Sequence, residues 1–546
     1  MLLIFLSTIL LIPVFMGLGN IVNRFSGEPF QGISGHIFPG ILGISIFWAV
    51  LSFFISLNIY VEILTVIYGL FCFFRNKLYL TFFLLSKKET LLICFITSII
   101  LFCGSFYPYI LDHFGYYVPT VKWLTEFGLV KGIANLDLTL GQMSVWHIFQ
   151  AGFYNFSDPY LRMNTILLVI YTLYIVEYKS WSQLCFVPVL LLFSQSPSPD
   201  LPVIIFSLII LNEILKNNRN IGFLFTFSVF VFAIKPTMIW LPLLSFLYSV
   251  FIDKSRFTAL IPGFLLVLLF FMKNIWTFGY PVFPIAIVDL NASWKPSPEI
   301  LKNSSQFAIQ KTYDMQYSYQ EIREFSLFDY IKNWLFLEGI KSKINILFIM
   351  SLIGFVIFSY IKRNRIVNLI CISIVVKSIL ILLFSAQYRF FIDVFFVIFF
   401  VVSADYFTRK KSIAVFSLLS IIFIACIMLP DFLRIYLPSF RPGNFMGKFE
   451  LNQLYRPSVY QYKTYTPYQL GNLKFNVSKK YPYNFDTELP AISESYIFDD
   501  IKAGIFPQLI DPQKVEKGFI WKKLDPEEEK AGHHIINSIK DSYKQN

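Results

Sequence analysis

The sequence predicts an all-α, polytopic membrane protein with about fourteen transmembrane helices and a small polar domain at its C-terminal end. Three observations carry this. Apolar runs follow one another from residue 2 to residue 430, many close to the ~17–25 residues a helix needs to cross a bilayer core. The composition is 56% hydrophobic and only 15% charged, whereas a soluble domain carries roughly 25% charged residues. The basic residues sit in short clusters between the runs, as membrane topology requires. That distribution also removes nucleic acid as the partner implied by the net charge of +12.

The first run, 2–22, lacks a basic leader, and its first cation, Arg24, comes after it. That flank predicts a retained helix with its N-terminus outside rather than a signal peptide. Runs at 37–56 and 58–74 complete an N-terminal unit of three transmembrane helices, residues 1–89. A core over 90–430 follows, with runs at 90–107, 164–177, 183–195, 201–215, 221–234, 237–252, 258–276, 344–361, 366–384, 389–405 and 412–430. The loops holding Arg75, Lys77, Lys87 and Lys88, then Lys216 and Arg219, Lys254 and Arg256, Lys362, Arg363 and Arg365, and Arg409, Lys410 and Lys411 all fall on one side when spans alternate. The positive-inside rule makes that side the cytoplasm.

Segments 108–163, 196–200, the Lys235-Pro236 junction, 277–343 and the tail are thereby predicted outside. Long loops on one face mark where a membrane protein works. Segment 108–163 mixes Trp123, Trp146 and Phe149 with Lys122, Glu126 and Lys131, a pattern for short amphipathic helices lying in the outer interface. The tail, 431–546, is polar and rich in Tyr and Pro, with turn signals at Asp511-Pro512 and Asp525-Pro526 and a charged helical stretch around Glu527 to Lys530. It reads as a small extracytoplasmic domain. The six cysteines lie in apolar runs without ligand spacing, and His36, His147, His533 and His534 show none either. No metal and no cofactor are therefore assigned.

Chemistry concentrates where the fourth run ends, at Asp112-His113-Phe114-Gly115-Tyr116-Tyr117-Val118-Pro119. An acid follows an apolar helix directly, then come a glycine, two tyrosines and an amphipathic stretch. With Lys122-Trp123, Gly132-Ile133-Ala134-Asn135-Leu136 and Ser144-Val145-Trp146, this order resembles a family of bacterial multi-spanning proteins related to the class C (GT-C) membrane glycosyltransferases. Later matches are Ser198-Pro199-Asp200, Asn274 with Gly279-Tyr280-Pro281-Val282-Phe283-Pro284, Trp294, Arg389-Phe390 and Gly518-Phe519. Asp137 stands where that pattern has a histidine. The resemblance covers the chain from about residue 90 onward. It implies a GT-C-like transmembrane core in the bacterial cytoplasmic (inner) membrane, a polyprenyl-phosphate sugar as donor, and an envelope lipid or glycan as acceptor.

An enzyme using such a donor needs a cavity at the membrane boundary, cations for the phosphate and a base for the acceptor hydroxyl. Asp112 is the candidate base. Arg389, Lys273 and Lys235, all at outer helix ends, are candidates for binding the leaving phosphate. His113, Tyr116, Tyr117, Asp200, Tyr280 and Trp294 are candidates for lining the acceptor side, and the 279–284 run for a rigid turn closing over the cavity.

Each residue has a rival role. Asp112 and Asp200 suit helix N-caps, the lysines suit snorkelling to headgroups, and Arg389 stands four residues before Asp393, a spacing for an ion pair on one helix face. Pairing of Asp393 with the deeper Lys377 would instead free Arg389 for phosphate. Two other activities use many spans, a lipid-linked polysaccharide polymerase or ligase and a transporter or flippase. The early acid argues against the first, and charges gathered at helix ends rather than along a central path argue against the second. The glycosyltransferase reading predicts that Asp112, Arg389 and at least one of the two lysines converge on one cavity covered by segment 277–343.

Overall fold

A computed structural model describes residues 1–431, 435, 448–460, 464–479, 483–484 and 486–544. The helices, in chain order, begin with α1 (Leu2–Ser26), α2 (Ser34–Leu51), α3 (Ile59–Arg75), α4 (Lys87–Gly104), α5 (Val118–Glu126), α6 (Val145–Ala151) and α7 (Met163–Glu177). Next come α8 (Val187–Leu190), α9 (Asp200–Leu215), α10 (Ile221–Ile234), α11 (Trp240–Tyr248), α12 (Ile261–Phe278), α13 (Pro298–Thr312), α14 (Tyr319–Arg323) and α15 (Leu327–Leu335). The last are α16 (Ile340–Lys362), α17 (Arg365–Phe384), α18 (Ile392–Ser403), α19 (Arg409–Met428), α20 (Glu494–Lys502) and α21 (Pro526–Lys544).

Seven helical segments among the described residues are long and apolar enough to cross a membrane: Leu2–Ser26, Ser34–Leu51, Pro236–Asp253, Phe257–Phe278, Ile340–Lys362, Arg365–Phe384 and Arg409–Met428. An eighth is counted if α3 and the turn Leu78–Leu84, bent by 63°, form one span. The architecture is that of a multi-pass membrane protein with fewer full-length spans than the fourteen apolar runs predict. Each of those runs is helical, but Met163–Glu177, Trp181–Phe193, Ile221–Ile234 and Ile392–Ser403 are short. At 1.5 Å per residue, a helix of this length covers at most ~25 Å of a hydrocarbon core ~30 Å thick. Helices α7, α9 and α10 are buried on nearly every face, so protein contact alone explains their all-round apolar sequence. By contrast only 22% of α16 and of α19 is buried.

Glycines set the N-terminal three-helix unit. A Cβ on Gly17 would stand 1.9 Å from the Gly69 carbonyl oxygen, one on Gly19 1.6 Å from that of His36, and one on Gly40 2.1 Å from that of Phe15. The backbones of α1, α2 and α3 therefore touch, the close approach that small residues permit in membrane helices. Glu62 on α3 is fully buried and accepts hydrogen bonds from the backbone N–H groups of Asn155 at 2.8 Å and Ser157 at 2.7 Å. This ties the unit to the 152–160 loop.

Segment 108–163 differs from its expectation. It forms short helices, but Trp123, Trp146 and Phe149 are completely buried instead of lying in an interface. Trp146 donates its indole N–H to Asn164 at 2.9 Å, and Trp123 packs edge-on to Phe519 of the C-terminal region. Aromatic residues serve an interface and a core equally, so the sequence pattern did not separate the two.

The C-terminal region holds two antiparallel hairpins, β1 (Tyr465–Leu470) with β2 (Leu473–Ser478) and β3 (Ile505–Leu509) with β4 (Phe519–Lys523), beside α20 and α21. Asp511 accepts from the Gln513 N–H in the β3–β4 turn. Asp525 is an N-cap, accepting from the N–H groups of Glu527 at 3.0 Å and Glu528 at 2.8 Å. The region is fastened to the core at several points. Phe519 donates its N–H to the Lys131 carbonyl at 2.9 Å, Lys122 pairs with Asp486 at 2.6 Å, and Trp521 donates to the Lys295 carbonyl at 3.1 Å. Arg162, fully buried, donates to the carbonyls of Gly104 and Ser458. Gly518 is required where it stands, with φ +105° and space for a Cβ only 2.1 Å from the Lys131 oxygen.

Candidate active site

Four separated stretches bring charge to one place. Asp112 lies in the short stretch after α4 and just before the π-helical turn His113–Tyr117. Asp200 opens α9, Lys235 follows α10, and Arg389 sits on the turn Tyr388–Phe390 between α17 and α18. The Arg389 guanidinium stands 3.5 Å from the Asp112 carboxylate, with both side chains partly exposed, at 44% and 36%. Lys235 forms an ion pair with Asp200 and also donates to the Arg389 carbonyl at 3.2 Å. Phe390 lies against both cations, 5.7 Å from the Lys235 ammonium and 5.1 Å from the Arg389 guanidinium.

The rival roles of the acids are not those taken. Asp112 makes no capping hydrogen bond. Asp200 is inside the first turn of α9 rather than at its cap, and accepts from the Ser198 hydroxyl at 3.2 Å. Asp393 pairs with Lys377 and also accepts from the Trp240 indole at 3.0 Å. Arg389 is thereby left to Asp112.

Electrostatics follow from this packing. Burial raises the Asp112 carboxyl above its ordinary range; Asp200 adds to the rise, while Arg389, Lys311 and Lys235 oppose it. Burial works against the charge of Arg389, but the carboxylates beside it, Asp112 first and then Asp200, oppose that cost, and the guanidinium is held above its usual value. The Tyr116 and Tyr117 hydroxyls are raised by burial first and then by Asp112 among their neighbours, so both remain protonated donors. A carboxylate of raised basicity beside a fixed cation suits proton abstraction next to a developing anion.

Not every predicted residue joins the cluster. Lys273 is buried in α12 and donates to the carbonyls of Gln142 at 2.6 Å and Met143 at 3.1 Å. Its ammonium is satisfied by backbone, which removes it from the phosphate-binding set and also from snorkelling. His113 turns inward and is buried, its Nδ1 3.1 Å from the Ser196 hydroxyl, while the next residue, Phe114, packs separately against Tyr460 and Tyr483. Tyr280 packs with Phe278, Ala134 and Leu138. Trp294 donates to the Ile275 carbonyl at 2.8 Å and holds the Lys131 ammonium over its ring. Both belong to the seam between the core and the C-terminal region, as does the 279–284 turn, whose Pro281 carbonyl accepts from Asn274 at 2.8 Å. Tyr116 and Tyr117 remain beside the acid, ring to ring at 4.5 Å.

The structure adds Lys311, near the end of α13, whose charge acts on both Asp112 and Arg389. Segment 277–343 comes near the cluster through α13, where the Thr312 hydroxyl lies 3.4 Å from that of Ser385, four residues before Arg389. Nothing in the sequence singled out one lysine among the several of that segment. Among the described residues no three metal-ligating side chains come together.

Two cavities lie elsewhere. One, of about 410 Å³, is lined by Asn217, Lys254, Asn364 and Arg365 among others; it offers cations but no carboxylate to act as a base. The second, of about 10 Å³, holds Asp137, Tyr496 and Asp500 at the core–domain seam, room for one water. Burial raises Asp137 to about 6 and Asp500 well above its ordinary value, Asp499 and Asp137 adding to the latter. A carboxyl bound more tightly to its proton when folded stabilises below its unfolded pKa and loses that contribution as pH rises through its folded one. For Asp137 that loss is on the order of 3 kcal/mol between about pH 4 and 6. Asp500→Asn is therefore expected to raise the thermal midpoint at pH 7.5 and to leave it unchanged near pH 4, read by melting curves across that range. Equal effects at both ends would remove the assignment.

Residues 1–396 match the family described as Domain of unknown function (DUF8201), and the chain belongs to that family. No curated protein and no solved structure matches it.

Proposed function

We propose that this DUF8201 chain is a membrane glycosyltransferase of the class C type, moving a sugar from a polyprenyl-phosphate donor to an envelope lipid or glycan. The observation that supports this reading is the meeting of Asp112, Arg389, Asp200 and Lys235, from four stretches of chain, in one partly exposed cluster. Snorkelling residues have no reason to converge, whereas a base and a phosphate clamp serve one substrate only within a few ångströms of its reacting atoms.

In this mechanism Asp112 takes the proton of the acceptor hydroxyl while the acceptor's oxygen bonds to the anomeric carbon. The bond from that carbon to the phosphate oxygen breaks, and the electron pair leaves with the polyprenyl phosphate. Arg389 stabilises the departing phosphate, Lys311 adds field from α13, and Lys235 holds Asp200 and the Arg389 turn in place. Tyr116 and Tyr117 flank the acceptor. The assay is turnover by purified protein in lipid with a panel of polyprenyl-phosphate sugars. Absence of transfer with every donor, from protein shown to be folded, would overturn the proposal.

The working face is proposed to be extracytoplasmic, in a bacterial inner membrane, because the basic loops of the sequence share the opposite side. A reporter fused after Asn546 is expected to score outside and one fused at Arg363 inside. The same compartment for both would invert or remove that orientation. A transporter reading draws on the buried Lys377–Asp393 pair, since intramembrane charges often mark a pathway. That pair is closed by Trp240 and its two charges answer each other inside the protein, whereas the Asp112 cluster is partly exposed, so glycosyl transfer is preferred.

A further inference from the structure

Helix α15 carries an apolar stripe that the protein leaves uncovered. Leu327, Phe328 and Ile331 are 87%, 71% and 61% exposed, and Phe336 just beyond the helix is 67% exposed. At 100° per residue, Leu327, Ile331 and Phe328 form one continuous exposed face, bordered by Leu335, which packs against the core, with Asp329, Lys332 and Asn333 on the other side. Ser326 and Asp329 make a full capping box at its start, so the helix is defined locally and its stripe is held together.

Its tether limits what covers the stripe. Only residues 336–339 separate α15 from α16, a span candidate whose exposed apolar residues include Leu347 and Met350. Four or five residues reach at most ~18 Å, so the stripe lies close to where α16 enters the bilayer. The linker is fixed rather than free, since Gln316 and Glu338 exchange hydrogen bonds of 3.3 and 3.0 Å. The remaining edge of α15 faces the protein through Trp334, which is buried. Trp334 donates its indole N–H to the Ala386 carbonyl at 2.8 Å and sets its ring 6.3 Å from Phe391. Ala386 and Phe391 bracket the turn that carries Arg389.

We infer that α15 lies in the membrane surface with Leu327, Phe328 and Ile331 among the lipid chains, and that through Trp334 it fixes the Arg389 turn relative to the bilayer. A helix amphipathic in this sense, tethered at a span entrance, binds a lipid interface by its buried apolar area. If the proposed glycosyl transfer takes place at this site, a lipid phosphate reaches Arg389 beside a helix seated in the same leaflet. Trp334 is then a positioning residue, touching no substrate.

The test uses the wild-type chain in vesicles, a carbene reagent confined to the bilayer, and residue-level mass mapping. Leu327, Phe328 and Ile331 are expected to be labelled like Leu347 and Met350, several-fold above Glu527 and Lys530 of the C-terminal helix. Labelling at the level of Glu527 and Lys530 would place the stripe in water and overturn the inference. Protection from both the bilayer reagent and a water-soluble carbene would show a protein partner on the stripe, and would overturn it equally. Turnover plays no part in the readout, so its outcome is separate from that of the proposed reaction.

Discussion

Replacing Asp112 by Asn is expected to lower glycosyl transfer by roughly 10²–10⁴-fold, the usual contribution of a positioned general base, with little change in folded yield or melting temperature. The expectation of intact folding is structural. Asp112 makes no capping hydrogen bond, its surroundings disfavour its charge, and its 3.5 Å pair with Arg389 keeps partial exposure on both sides, so losing the pair costs little stability. Asn keeps the size of the side chain but supplies no base. Arg389→Lys is the companion variant: it keeps the charge while losing the planar fork, and should weaken use of the lipid-phosphate donor while the protein still folds. Loss of folded protein in Asp112→Asn would assign the residue to structure. Full transfer activity in that variant would place the base elsewhere.

The largest expected effect on stability comes from Lys377→Met. The Lys377–Asp393 pair is buried, with side-chain exposures of 0% and 5%. Removing one partner of a buried pair leaves the other charge uncompensated and costs about 3–5 kcal/mol. Trp240 still donates one hydrogen bond to Asp393, which softens the loss without neutralising the charge. The double variant Lys377→Met with Asp393→Leu should recover much of it, because no lone charge remains. Thermal unfolding of the three proteins in one lipid or detergent checks this. A single variant as stable as wild type, or a double variant no better than the single, would show that the pair carries no such burden. Asp393 released in the single variant also stands four residues from Arg389, so that variant should lose transfer activity beyond its loss of stability.

Part of the candidate site was legible because charged residues just past the ends of apolar helices gather where those ends meet. Asp112, Lys235 and Arg389 each follow the end of an apolar helix, and helices packed side by side bring such ends together whether or not each one spans. The Lys377–Asp393 pairing was legible as a consequence of cost: a lysine deep in an apolar helix requires an acid, and Asp393 was near enough. The same logic misplaced Lys273, which answered its cost with two backbone carbonyls instead. Carbonyl acceptors exist at every residue and leave no mark in a sequence. Lys311 was missed for the converse reason, since nothing local distinguishes a lysine that packs back onto a site from one that stays in water.

By itself the sequence determined a mostly helical, multi-pass membrane protein with a small C-terminal region of different character, though not the two hairpins that region holds. These depend on apolar run length, caps and turns, which are local and additive. Only the tertiary structure decided which apolar helices are long enough to span and which are interior, since burial in protein and burial in lipid select the same residues. It alone decided that Tyr280, Trp294 and His113 serve packing and that Asp112 faces Arg389. Those outcomes turn on the direction of a side chain once distant elements have docked, and a one-dimensional pattern contains no such direction.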